Sequence, residues 1–221
     1  LLYGRVPKVA NSSIKACLCR LLTTSPEQGS RTTSDAFWSK GTHGETSMTD
    51  KYSARMRRGT HFSFSFVRNP FDRLVSAYNN KILELDEVPG PMQAMGLSHK
   101  MGFPAFLECI AGTVDAAMDV HLLPQSSILC LDGQLIPNFI GRLESMATDW
   151  QQLETCMKRE RLPSLGNLPE KNRRRSDDHS DVSQYFADPG LVQLVVERYG
   201  DDLDLFYGDV DLQDLSRGQL S

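Results

Sequence analysis

The stretch from Phe62 to Tyr78 constrains the fold more than any other part of the chain. Phe62, Phe64 and Phe66 alternate with Ser63 and Ser65, the period-2 pattern of a strand. Asn69 is then placed to cap a helix whose first residue is Pro70, where a missing N–H costs nothing. Phe71, Leu74, Val75, Tyr78 and Ile82 continue as one helical face, which predicts a helix over Pro70 to Leu85 packed on a sheet. Arg68 falls at the strand end. Ser76 falls two turns into the helix, on a different side from the apolar stripe. A guanidinium and a hydroxyl so placed suit a phosphate, through a forked charge-assisted bond plus a neutral donor. The same residues suit a plainer role, with Arg68 paired to Asp72 and Ser76 packing as a small side chain.

A second segment repeats the design near the start. After the apolar Leu1 to Val6, the residues Asn11, Ser12 and Ser13 are placed to cap a helix over Ser12 to Leu22, whose apolar face is Ile14, Leu18, Leu21 and Leu22. Unpaired N–H groups at such a helix start favour an oxyanion. Lys8 adds a point charge before the turn, and Lys15, about one turn inside, can reach back toward the same anion. An ordinary capped helix after an edge strand explains these residues equally well. The spaced glycines and terminal Gly-Lys-Ser/Thr of a nucleotide triphosphate loop are absent from this segment. Two anion sites in one chain imply a ligand charged at both ends.

Strand and helix patterns alternate along the chain. Further strands are expected at Ser127 to Leu131 and Asn138 to Ile140, and further helices at Pro104 to Ala111, Ser145 to Arg159 and Pro189 to Tyr199, the last stopped by Gly200. Such alternation implies parallel crossovers and a three-layer α/β fold, a central, mainly parallel sheet flanked by helices, with ligands bound beyond the strand C-termini. Thr23 to Thr60, Glu87 to Gly102 and Leu162 to Asp181 read as loops, the last containing Arg173, Arg174 and Arg175.

The 221 residues, 40% of them hydrophobic, suffice for one ordinary core, so a single domain over 1–221 is expected. A net charge of −4 argues against general nucleic-acid binding, so anion recognition must come from local clusters. Five cysteines, Cys17, Cys19, Cys109, Cys130 and Cys156, show no metal-ligand spacing, and their odd number leaves at least one thiol free.

The two anion segments together carry a resemblance. Pro7-Lys8-Val9-Ala10, with Lys15, and Val67 through Tyr78 are similar to paired motifs of the Golgi-type carbohydrate sulfotransferases, the family of the chondroitin and dermatan 4-O-sulfotransferases and the HNK-1 sulfotransferase, and the chain looks closer to its shorter microbial and algal members. His121-Leu122-Leu123-Pro124-Gln125 resembles a third element of that family, with Leu122 where an aromatic is expected. Phe139-Ile140-Gly141-Arg142-Leu143-Glu144 resembles a fourth. Asn172-Arg173-Arg174 through Tyr185-Phe186 to Tyr199 and Leu205-Phe206 looks like the basic loop and final helix of the shorter members. Asn11-Ser12-Ser13 stands where the animal enzymes have Cys-Thr-Asn.

The resemblance implies a sulfotransferase fold and transfer of a sulfuryl group from PAPS (3′-phosphoadenosine 5′-phosphosulfate) to a hydroxyl of a carbohydrate, with no metal required. It places Lys8, Val9, Ala10, Asn11, Ser12, Ser13 and Lys15 at the 5′-phosphosulfate, Arg68 and Ser76 at the 3′-phosphate, and Arg173 and Arg174 over the cofactor. It also implies a Golgi lumenal domain and an N-terminal membrane anchor outside this chain. Lys8 is then the candidate for stabilising the leaving phosphate, and His121 for the base, since an imidazole suits proton abstraction from a hydroxyl. His43 and His61 compete for that role, with His99 and His179 behind them. A P-loop kinase-like enzyme and a non-catalytic protein binding PAP (the desulfated product) or glycan are the alternatives from other classes.

Overall fold

The computed structural model describes residues 1–169 and 181–220. In chain order its regular elements are β1 (Leu2–Gly4), α1 (Asn11–Leu18), α2 (Asp35–Lys40), α3 (Lys51–Met56), β2 (Ser63–Val67), α4 (Pro70–Tyr78), α5 (Gly90–Ala94), α6 (Phe103–Ala111), α7 (Gln125–Leu129), β3 (Cys130–Leu131), β4 (Gln134–Leu135), β5 (Phe139–Arg142), α8 (Met146–Arg159), α9 (Val182–Tyr185), α10 (Pro189–Tyr207) and α11 (Leu212–Arg217). The class is α/β, with a mainly parallel sheet flanked by helices, as the alternation predicts. Contacts gather into two compact units. One comprises Leu1–Arg5, Ala10–Phe66 and 129–169, the other Val6–Val9, Val67–Ile128 and 181–220.

The first unit holds the sheet, in the order β1-β2-β5, with β1 parallel to β2 and Tyr3 opposite Phe64. The serine-phenylalanine alternation of β2 predicts one wet face, yet every residue of the strand is buried. The serines are accommodated by hydrogen bonds: Ser65 Oγ donates to the Gly4 carbonyl at 2.6 Å, and Ser63 Oγ to Asn138 Oδ1 at 2.7 Å. A buried hydroxyl with a partner costs little, so β2 behaves as a central strand covered on both faces. On the apolar side Phe64 stacks on Tyr3 at 5.1 Å between ring centroids, and Phe66 meets Trp150 of α8 at 5.8 Å. Gly141 on β5 lies so close to Phe66 that an added Cβ would sit 2.3 Å from its ring.

The second unit is built around α4, which is buried along nearly its whole length. Phe71 meets Phe186 at 4.9 Å, and Tyr78 meets Phe103 at 5.2 Å. The Asn69 cap is formed as expected, Oδ1 accepting from the Phe71 N–H at 3.1 Å with Pro70 at N1. Ser76, expected away from the apolar stripe, is buried as well, because α4 is enclosed by more than one neighbour. After Tyr78 the α-helix passes into a π-helical turn over Asn79–Leu83 instead of continuing to Leu85.

Other expectations need correction. Ser127 to Leu131 is not one strand: Gln125–Leu129 is helical because the buried Asp202 carboxylate accepts the N–H groups of Gln125 and Ser126, at 2.8 and 2.6 Å, and so caps a helix there. Gly200 does not end α10. The helix kinks at Tyr199 and runs on to Tyr207, since Leu203, Phe206 and Tyr207 are buried and their packing outweighs the weak helix propensity of one glycine. The loops at Thr23 to Thr60 and Glu87 to Gly102 contain α2, α3 and α5, two of them started by the side-chain caps Ser34 and Asp50. All five cysteines are free thiols, and among the described residues no helix is long and apolar enough to cross a membrane.

One charged side chain lies at the centre of the second unit. Arg73 of α4 is 1% exposed. Its Nε donates to the Pro7 carbonyl at 3.2 Å, one terminal nitrogen to Leu123 at 2.9 Å and the other to Val120 at 3.3 Å. Burial pulls its pKa down from the ordinary guanidinium value, and nearby Tyr199 and Asp202 oppose that change.

Two stability predictions follow from this packing. Gly141→Ala should destabilise the protein by about 1–3 kcal/mol in urea unfolding, as overpacking against Phe66 does; an unchanged midpoint would show that the strand yields at no cost. Arg73→Lys presents one nitrogen where the guanidinium spreads three, and should lose about 3 kcal/mol by the same measurement.

Candidate functional site

Within the second unit, two segments far apart in sequence meet at Lys8 and Arg68. Lys8 has a left-handed backbone (φ 68°), and its Nζ donates to Asn80 Oδ1 at 3.3 Å. Asn80 belongs to the π-helical turn and donates in turn to Glu84 at 3.2 Å. The Arg68 guanidinium donates to the Lys8 carbonyl at 3.4 Å, which brings two cationic side chains onto one short stretch of backbone. Asp72 is the acidic residue beside Arg68. Burial raises its carboxyl above the ordinary carboxylate range, against the opposing pull of Arg68 and Asn69.

Arg68 is fixed through its own main chain. The side-chain amide of Gln125, fully buried, accepts from the Arg68 N–H at 2.9 Å and donates to the Arg68 carbonyl at 2.8 Å, the exchange a neighbouring strand would make. Gln125 itself is held by Asp202, which is also fully buried.

His121 lies on the loop before α7, its side chain 31% exposed. Asp119 Oδ1 accepts from the His121 backbone N–H at 2.9 Å and lies 2.7 Å from Nδ1 of the ring. The loop is pinned along its length. Arg73 takes the carbonyls of Val120 and Leu123, and Tyr199 donates its hydroxyl to that of Leu122 at 2.5 Å. Burial raises the pKa of Tyr199.

Other expected residues lie elsewhere. Val9 is buried in the second unit. In the first unit, α1 is capped by Ala10 (φ 43°), whose carbonyl accepts from Ser13 and Ile14 at 3.0 Å; Asn11, Ser12 and Ser13 form the first turn and not the cap. Asn11 Oδ1 accepts from the Tyr3 hydroxyl. Lys15, expected to reach back toward that turn, is buried with its ammonium on Asp35 Oδ1 at 2.9 Å and the Thr33 carbonyl at 2.8 Å. A buried ammonium needs such a carboxylate, and Asp35 of α2 supplies it. His43 and His61 are exposed in the first unit, His61 with its Nδ1 on Thr60 Oγ1 at 3.0 Å. Arg173, Arg174 and His179 lie outside the described residues.

Asn80 and Asp202 carry no sequence signal of their own, and the recognised segments that hold Arg73 and Gln125 do not show what these two do, because each acts through a partner 50 or more residues away. Asp119 is different. Its spacing two residues before His121 is a readable Asx-turn pattern.

Comparison with known proteins bears on the whole of this arrangement. A family model described as the sulfotransferase family matches residues 1–208. Carbohydrate sulfotransferase 14 of Homo sapiens is 28% identical over 170 residues, which cover 69% of this chain and 43% of that protein. The Mus musculus protein of the same name is 27% identical over the same span. The chain thus spans less than half the length of these relatives, and no solved structure matches it. Since the matched region runs through every element that carries Lys8, Arg68, Ser76 and His121, the chain belongs to the sulfotransferase family.

Proposed function

We propose that this chain is a single catalytic domain that transfers a sulfuryl group from PAPS to a hydroxyl of a carbohydrate, without a divalent metal. The observation that carries the reading is the junction of Lys8 with Arg68, on a loop that Arg73 ties to the loop of His121. Two cations on one stretch of backbone are a donor set that fits a nucleotide carrying anionic groups at both ends. The carbohydrate acceptor rests on the named relatives, and placement in the Golgi lumen rests on the family resemblance alone.

When bound, PAPS supplies a sulfuryl group on a phosphate leaving group. Lys8 offers positive charge to the phosphate oxygen as its bond to sulfur breaks, a task best done by a charge already in place. Asn80 Oδ1 accepts from the Lys8 ammonium and restrains it. Arg68 and Ser76 serve the 3′-phosphate. His121 takes the proton of the acceptor hydroxyl as that oxygen bonds to sulfur, so the charges on both sides of the transfer are met by side chains of one unit.

Transfer of radiolabelled sulfate from PAPS to a panel of desulfated glycans, with and without EDTA, tests the reading. Labelled glycan formed equally with EDTA is expected; a requirement for magnesium and ATP would overturn it in favour of a kinase. Arg68→Ala and Ser76→Ala should each weaken PAP binding about tenfold or more, the worth of a charged hydrogen bond, and leave adenosine 5′-phosphosulfate nearly unaffected. Equal losses for both nucleotides in calorimetry would reject the 3′-phosphate assignment. Lys8→Ala and His121→Ala should both lower turnover, by about 10² or more for the base, with only Lys8→Ala disturbing nucleotide binding. Near-normal turnover in a folded His121→Ala would move the role to His43 or His61.

A further inference from the structure

We propose that Asp119 is the positioning residue for His121: its carboxylate holds the proton of the neutral imidazole on Nδ1 and turns the bare Nε2 toward the acceptor hydroxyl. The inference rests on His121 acting as the base.

One oxygen makes both contacts. Asp119 Oδ1 accepts the His121 backbone N–H at 2.9 Å and meets ring Nδ1 at 2.7 Å, so the loop and the ring are oriented by the same atom. Asp119 is 9% exposed, and its own carbonyl accepts from the N–H groups of Leu122 and Leu123 at 2.9 and 3.1 Å. Its backbone N–H faces Met95 Sδ at 3.3 Å. Arg73 and Tyr199 hold the carbonyls of Val120, Leu122 and Leu123, so the backbone that carries the pair is restrained on both sides of His121.

The protonation states follow from these contacts. Burial works to raise the Asp119 carboxyl, but the two hydrogen bonds from His121 and the charges of His121 and Lys81 outweigh it and hold the group below the ordinary carboxylate range. At neutral pH Asp119 therefore has no proton to donate. A 2.7 Å contact between an ionised carboxylate and Nδ1 needs a hydrogen, and in a neutral imidazole that hydrogen must be the ring's own. The lone pair is then left on Nε2, the nitrogen a base at this position requires. On transfer, the acceptor's proton passes to Nε2 and the resulting imidazolium stays paired with Asp119. Lys81, in the π-helical turn, is the cation that faces this carboxylate besides His121, and it bears on the carboxylate's charge without taking its place at the ring.

A purely structural Asx turn would use the backbone contact alone. Two variants and two readouts separate the possibilities. Long-range proton–nitrogen NMR of the ligand-free protein at neutral pH reports the tautomer of each histidine, and His121→Ala assigns the signal. The expected parent signal is a protonated Nδ1 and a bare Nε2; the opposite tautomer overturns the proposal by itself, whatever the activity. Asp119→Ala should shift His121 toward the Nε2-protonated tautomer and lower kcat by about 10² to 10⁴, the range set by loss of a carboxylate behind a catalytic histidine, while calorimetry with PAP gives an unchanged Kd. Asp119→Asn keeps an oxygen for the backbone N–H, should retain the fold and the tautomer, and should lose less turnover than Asp119→Ala because only the charge behind the imidazolium is gone. Parent kcat in both variants would sink the positioning role. Should His121→Ala retain parent activity, the base assignment fails while the tautomer measurement still decides the Asp119 contact.

Discussion

The Arg73 guanidinium is the interaction on which the second unit depends. Pro7 lies on one loop and Val120 and Leu123 on another, and a carbonyl oxygen of each points at the same buried group. A planar fork with donors in fixed directions sets the relative positions of three acceptors, which a flexible ammonium does not. Burying such a charge is costly, and the cost is met by charge-assisted bonds and by Asp202 nearby. The consequence for chemistry is direct. The residue after Pro7 is Lys8, and the residue after Val120 is His121.

Asp202 performs the matching task for Arg68. It receives the first N–H groups of α7 and the side-chain amide of Gln125, and that amide spans both main-chain groups of Arg68. A buried carboxylate fixes an amide, the amide fixes a backbone, and the backbone presents a guanidinium. None of these intermediates needs to touch a ligand, yet each limits how far Arg68 can stray. Transfer through a loose transition state gives a protein little covalent work, so catalysis depends on charges held in place before reaction. For the proposed transfer, Arg73 and Asp202, both buried, supply that restraint.

What could be read from the sequence follows this division. The strand-cap-helix run from Phe62 to Tyr78 and the α8 span were legible because their signals are local: alternation, a cap with a proline behind it, an apolar stripe. Ser127 to Leu131 was misread because its helix is started by a carboxylate 76 residues away. Gly200 was misread as a stop because burial of Leu203, Phe206 and Tyr207 outweighs local propensity. The site divides in the same way. Lys8, Arg68, Arg73 and His121 all stand in recognisable segments, but what Arg73 does there is hidden until its three carbonyls are seen. Lys15 shows the converse, since its position invites a ligand and its environment supplies Asp35.

Backbone strain marks the loop where this restraint is most needed. Lys8 has a side chain and a left-handed backbone at φ 68°, a conformation that costs an L-residue about 1–2 kcal/mol. Nothing about Lys8 itself favours it. The neighbouring Pro7 carbonyl is drawn to Arg73 and the Lys8 carbonyl to Arg68, so the two guanidinium groups dictate where the peptide planes on either side of the Lys8 Cα must point. Glycine would adopt this backbone without strain but has no ammonium to offer. A lysine kept there at a cost suits the role proposed for it, since the backbone fixes the direction in which the charge leaves the chain and Asn80 Oδ1 accepts from the ammonium.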